Sequence, residues 1–169
     1  MRSNRLDPND EATLRRLYPK MTDEVLRDTR MTDQIFEFKD EHGVTTCWNT
    51  SRIERAIGRR EYEPELRRMR LDRALVDLVL RDRGVEEPHL ITLTTKRLLR
   101  PILLCVDMEP DINEPGKLCE RHIIIDGNHR IVGRWRSGLD TVDAWMCHRA
   151  DLVRFEVELA PQLSILGSS

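Results

Sequence analysis

Two uninterrupted apolar runs, ILLCV at residues 102–106 and III at 123–125, set the tightest limit on what this chain can fold into. Each suits a buried strand, and neither approaches the length of a bilayer-crossing helix. Around them HLITLT, RPILLCVD, RHIIID and TVDAWMC recur as short β-rich stretches. TTKRLL, the polar loop MEPDINEPGKLCE and the helix-like NHRIVGRWRS separate them. This alternation predicts an α+β (mixed α/β) fold, a small mixed sheet with flanking helices. With 169 residues the chain fits one ordinary domain and a single core, able to hide roughly 70% of its unfolded surface.

Residues 1–85 read as a helical and β-hairpin elaboration packed on a core at 86–169. LDPNDEATLRRLY offers Asp7 as cap and Pro8 at the first helical position, predicting a helix over about residues 8–18. MTDEVLRDTR predicts a second short helix capped by Thr22. In QIFEFKDEHGVTTCWNT, alternation on either side of a turn predicts a hairpin, with Ile35, Phe36, Phe38, Val44 and Trp48 as burial candidates. From Pro64 to Arg83 the spacing of Leu71, Ala74, Leu75 and Leu78 predicts a helix stopped by Gly84.

Charged residues make up 34% of the chain and hydrophobic ones 39%, with a net charge of -2. That excludes disorder and weakens any reading as a tight non-specific DNA binder, while leaving room for a local basic face. The start MRSNRLDPND has no apolar stretch, so a cytoplasmic location without a membrane partner is expected. Cys47, Cys105, Cys119 and Cys147 lack CxxC spacing and read as reduced thiols, with Cys105 and Cys147 in the core.

The chemistry concentrates in RHIIIDGNHRIVGRWRSG, residues 121–138. Ile123 to Ile125 form a buried strand, Gly127 permits a tight turn, and Asn128 to Arg130 open a helix that Gly138 ends. A helix start presents unpaired N–H groups and the positive end of a dipole, which suits a phosphate. Gly127, Asn128, His129 and Arg130 are therefore the candidate phosphate-binding residues. Asp126 at the strand end can hold a divalent cation such as Mg2+, accept a proton, or orient Arg130. The plainer reading of the same residues has Asp126 capping the helix, Arg130 pairing with Asp126 or Asp143, and His129 half-buried and satisfied.

At these residues the chain resembles the ParB/sulfiredoxin superfamily, whose members carry a strand, a motif such as DGxHR, GxxRR or GGCHR, a helix and a further strand. IIIDGNHRIVGRWRSGLDTVDAWM looks like that whole unit, and ITLTTKRLLRPILLCVD resembles the segment before it, a short helix leading into a PIxV strand. The likeness spans about residues 89–147. It implies a bound nucleotide, ATP, ADP or CTP with magnesium, and phosphoryl or nucleotidyl transfer with Asp126 and His129 as catalytic residues. Asn128 stands where sulfiredoxins carry their nucleophilic thiol, so sulfinic acid reduction is not expected. His129-Arg130 replaces the paired arginines of the partition proteins and no helix-turn-helix region follows Cys147, so chromosome partitioning is not expected either. The DGxHR subgroup, with free serine kinases and ParB-like nucleases, lies closest.

Other constellations carry less. Cys119, His122, Cys147 and His148 lack tight paired spacing, so zinc is not expected. Arginine runs, including Arg134 and Arg136 in GRWR, can follow a nucleic-acid backbone, but interspersed acids make solvated faces the plainer reading, and Trp135 is expected to pack on the sheet. A general base is not readable among Glu37, Glu41, Glu54 and Glu61, or among the loop acids Glu109, Asp111 and Glu114. The first expectation is thus a nucleotide-dependent transferase acting on a small molecule or a base. Its rivals are a DNA-binding or nuclease protein, of a kind common in phages, and a non-catalytic interaction module; a homodimer fits any of them.

Overall fold

The computed structural model describes residues 8–82 and 84–160. The elements form two compact units, one of residues 1–62 with 153–169 and the other Glu63–Leu152. Among the described residues there are eight α-helices, a four-stranded mixed sheet and a separate two-stranded hairpin, an α+β architecture. No described helix is long and apolar enough to cross a membrane.

In the first unit α1 spans Pro8–Leu17, close to expectation, while Asp7 lies outside the described residues. Helix α2, Asp23–Arg27, is capped by Thr22, whose hydroxyl accepts from the Val25 N–H. β1, Ile35–Lys39, pairs antiparallel with β2, Thr45–Asn49, and α3, Thr50–Gly58, follows with Asn49 as its cap. Trp48 is fully buried, with the Phe36 and Phe38 rings each 6.3 Å from it. Val44, expected inside, sits at the turn and is 58% exposed.

The second unit carries the sheet, in the order β3-β6-β4-β5, where β3 is Glu65–Arg70, β4 Ile102–Pro110, β5 Leu118–Asp126 and β6 Thr141–His148. β4 and β6 run parallel and the other neighbours antiparallel. The single helix expected over 64–83 is therefore two elements. ELRRMR pairs along β6 as an edge strand, the chain turns at Leu71, and α4 spans only Arg73–Asp82. Asp72 provides the break, its carboxylate accepting from the Leu75 N–H at 2.8 Å as an N-cap. The inward stripe shifts accordingly: Val76 and Val79 are buried, whereas Ala74 and Leu78 are exposed.

HLITLT does not form a strand. Pro88 sits in the first turn of α5, Glu87–Ile91, and α6, Thr95–Leu98, follows under a Thr94 cap. The polar loop expected over 108–120 shrinks to 111–117, because β4 and β5 pair out to Pro110 and Leu118. Helix α7, Asn128–Arg136, lays Ile131 and Val132 on the sheet, both with no exposed surface. Full burial of each such side chain stabilises by about 1.5–3 kcal/mol. Trp135 packs against the same core, and Cys105 and Cys147 are fully buried, as expected. Helix α8, Arg149–Leu152, closes the unit.

Candidate functional site

The motif sits where β5 hands over to α7, and a bulge sets its geometry. Ile124 pairs with Leu104, yet Asp126 pairs with Leu103, so Ile125 is an extra residue in β5. An even register would place Asp126 opposite Ile102. Bulges of this kind re-aim the side chain that follows them. Gly127 then takes φ +111°, the left-handed region that glycine alone enters freely. A Cβ there would lie 2.7 Å from Ile102 Cβ and 3.3 Å from Ile102 Cα, with Ile102 Cγ2 closer still. Glycine is required both for its conformation and for its close approach to β4.

Gly127 is also the N-cap of α7, and it offers no side chain to the helix amides. The helix ladder begins with the Ile131 N–H donating to the Gly127 carbonyl, at 3.0 Å. The amides of Asn128, His129 and Arg130 thus stand at the positive end of a nine-residue helix without a side-chain cap. Beside them the Asn128 Oδ1 atom is buried without a hydrogen-bond partner.

Arg130 does not face outward. Its guanidinium donates to the Pro101 carbonyl and pairs with Asp126, and the two side chains are 11% and 14% exposed. Of the plainer sequence reading, the Arg130–Asp126 pair forms, with Asp126 neutralising Arg130 and Arg130 tying α7 to the start of β4, whereas Asp126 does not cap the helix. His129 accepts the Glu86 N–H at Nε2, 3.1 Å away, and its ring centroid lies 4.6 Å from that of His89. An accepting Nε2 places the proton on Nδ1. Burial, and then the neighbouring His89, push the His129 pKa below its ordinary value, so the ring is neutral at pH 7.

The two outer arginines are engaged as well. Arg134 donates to the carbonyls of Thr141, at 2.6 Å, and Leu98, at 3.3 Å. Arg136 forks onto both carboxylate oxygens of Glu87 at 2.8 and 2.7 Å. The loop acids serve the hairpin itself: Glu109 pairs with Arg121, Asp111 accepts from the Asn113 and Glu114 amides, and Glu114 pairs with Lys117. Glu37, Glu41, Glu54 and Glu61 belong to the other unit.

Among the described residues no three His, Cys, Asp or Glu side chains gather where they could share a metal ion. Asp126, already paired with Arg130, does not fit a magnesium site by itself, since hard cations want several oxygen ligands. Three contacts at the motif were not legible as such: the Glu86 amide, His89 and the Pro101 carbonyl. The first two had one signal, EEPH at 86–89, an acid-and-proline helix start inside a stretch that otherwise reads as β-rich.

Comparison with protein-family models, with curated proteins and with solved structures found no match in any of the three. The likeness to the ParB/sulfiredoxin group stands on the sequence pattern of about residues 89–147 alone.

Proposed function

We propose that the chain binds the phosphate of a nucleotide at the turn opening α7, in the manner of a ParB/sulfiredoxin-like domain. One observation carries this reading: the left-handed Gly127, pressed on Ile102, opens a helix whose first amides have no side-chain cap. The orphaned Asn128 Oδ1 supports it, because a buried acceptor is stabilised by an incoming N–H or O–H, such as a ribose hydroxyl or a base amino group. His129 adds an Nδ1–H donor. Arg130 shapes the turn instead of touching the phosphate. The nucleotide is ATP, ADP or CTP.

Phosphoryl or nucleotidyl transfer is the further step of the proposal. Asp126 and His129 remain its candidate groups, each acting only after exchanging its present partner, Arg130 or the Glu86 amide. Calorimetry with ATP, ADP, CTP and GTP tests the binding. Saturable heat with at least one nucleotide, weakened roughly tenfold in His129→Ala without a matching loss of melting temperature, is the expected result. Silence with all four removes the proposal.

A second reading has its own observation. The closed Asp126–Arg130 pair suits a structural corner in a non-catalytic module. Under that reading Asp126→Asn lowers stability and no nucleotide binds.

A further inference from the structure

The first unit holds a cluster of arginines that the motif does not involve. Arg52 of α3 is only 8% exposed, and with Arg27, Arg59, Arg154 and Phe155 it lines a cavity of about 650 Å³. Such a volume accommodates a small molecule. A guanidinium carries five N–H donors, and a buried one needs close acceptors. Arg52 has two, Asp28 Oδ2 and the Arg154 carbonyl, both at 3.4 Å, beyond the usual range for such bonds. Asp28 is drawn elsewhere: its two oxygens accept from Arg59 at 3.0 and 3.1 Å, and Arg55 also reaches it. Burial accordingly pushes the Arg52 pKa down despite Asp28, and the Phe155 face, 5.6 Å away, offers a weaker partner.

The cavity's other charges leave it cationic. Arg59 is matched by Asp28 and Glu61. Arg154 stacks on Tyr62 and Phe155 at 4.8 Å and donates to the Glu61 carbonyl, with no carboxylate partner among the described residues. Arg27 has no ion-pair partner among them either. Glu24 is the one lining carboxylate that no described cation neutralises.

We propose that this cavity is an oxyanion site that seats the phosphate of a phosphorylated small molecule, with Arg52 at its floor and Arg27 and Arg154 at its rim. The phosphate supplies the short acceptors that Arg52 lacks, and a charge of nearly -2 outweighs the repulsion from Glu24. The site is independent of the α7 turn.

The test follows the Arg52 Nε–Hε resonance of the full chain by NMR during titration with inorganic phosphate and, separately, ribose 5-phosphate. Saturable movement with either probe is expected, and tighter binding of the ester would show that the rest of the cavity is used. Arg27→Ala, a change at an exposed position, should weaken binding roughly tenfold, while His129→Ala should leave it unchanged. The proposal is overturned if neither probe gives saturable movement, if chloride at equal ionic strength reproduces it, or if Arg27→Ala binds as tightly as the wild type.

Discussion

Gly127→Ala is the most informative single change. Two costs add at this position and can be separated. A non-glycine residue at φ +111° is strained by about 1–2 kcal/mol. The new methyl also meets Ile102 at 2.7 Å from Cβ and 3.3 Å from Cα, and since Cα is backbone the clash cannot be relieved by a rotamer change. Overpacking of this kind costs about 1–3 kcal/mol. Together they give about 2–5 kcal/mol, a lowering of the melting temperature by roughly 5–20 °C for a chain of this size. Gly116→Ala is the control: its φ is +88° and no atom lies within 4 Å of the added Cβ, so it carries conformational strain alone. Thermal and urea melts by circular dichroism should show Gly127→Ala the more damaging by about 1–3 kcal/mol, and when both glycine changes are measured in an Ile102→Ala background, where the Cγ2 contact is gone but Cβ and Cα remain, that difference should shrink in part. Equal effects of the two glycine substitutions would refute the close-approach argument.

Four further outcomes follow from the geometry. The depressed His129 pKa means that the unfolded chain takes up its proton first, so this contribution to stability is intact above pH 6.5 and is lost as pH falls through the lower folded value; an NMR titration placing His129 at or above 6.5 would contradict it. Arg130→Ala strands the Asp126 carboxylate and should cost about 3–5 kcal/mol, whereas the double change Asp126→Leu with Arg130→Met should cost clearly less, as read by urea denaturation of all three variants. Asp72→Ala should lose about 1 kcal/mol by the same measurement, through removal of the α4 cap. Burial pushes the Cys105 thiol up to about 11, so a disulfide reagent at pH 8 should modify Cys119 rapidly and Cys105 only on unfolding; equal rates would argue against the buried β4 position.

What the sequence revealed depended on how local the deciding force was. The Asp126–Gly127 corner, α7 and the paired strands beside it were legible because apolar runs, a glycine and a helix period all lie within one stretch. ELRRMR was misread because its strand state comes from pairing with β6, some 75 residues away, and Arg-rich edge residues carry no β signal of their own. HLITLT failed the other way, since its β-branched content hid the Pro88 helix start. At the motif the residue types were readable but their direction was not. Whether Arg130 turns toward solvent or toward Asp126 depends on the Pro101 carbonyl, which no side-chain pattern announces.

The extra residue at Ile125 also makes the segment intolerant of changes in length. Deleting one residue anywhere from 123 to 125 would leave an unbroken ladder with Asp126 still opposite Leu103, but would erase the local bend that re-aims Asp126 and seats Gly127 against Ile102. Point substitutions among these isoleucines should therefore be absorbed far more readily than a single-codon deletion, which would unseat the corner in one stroke.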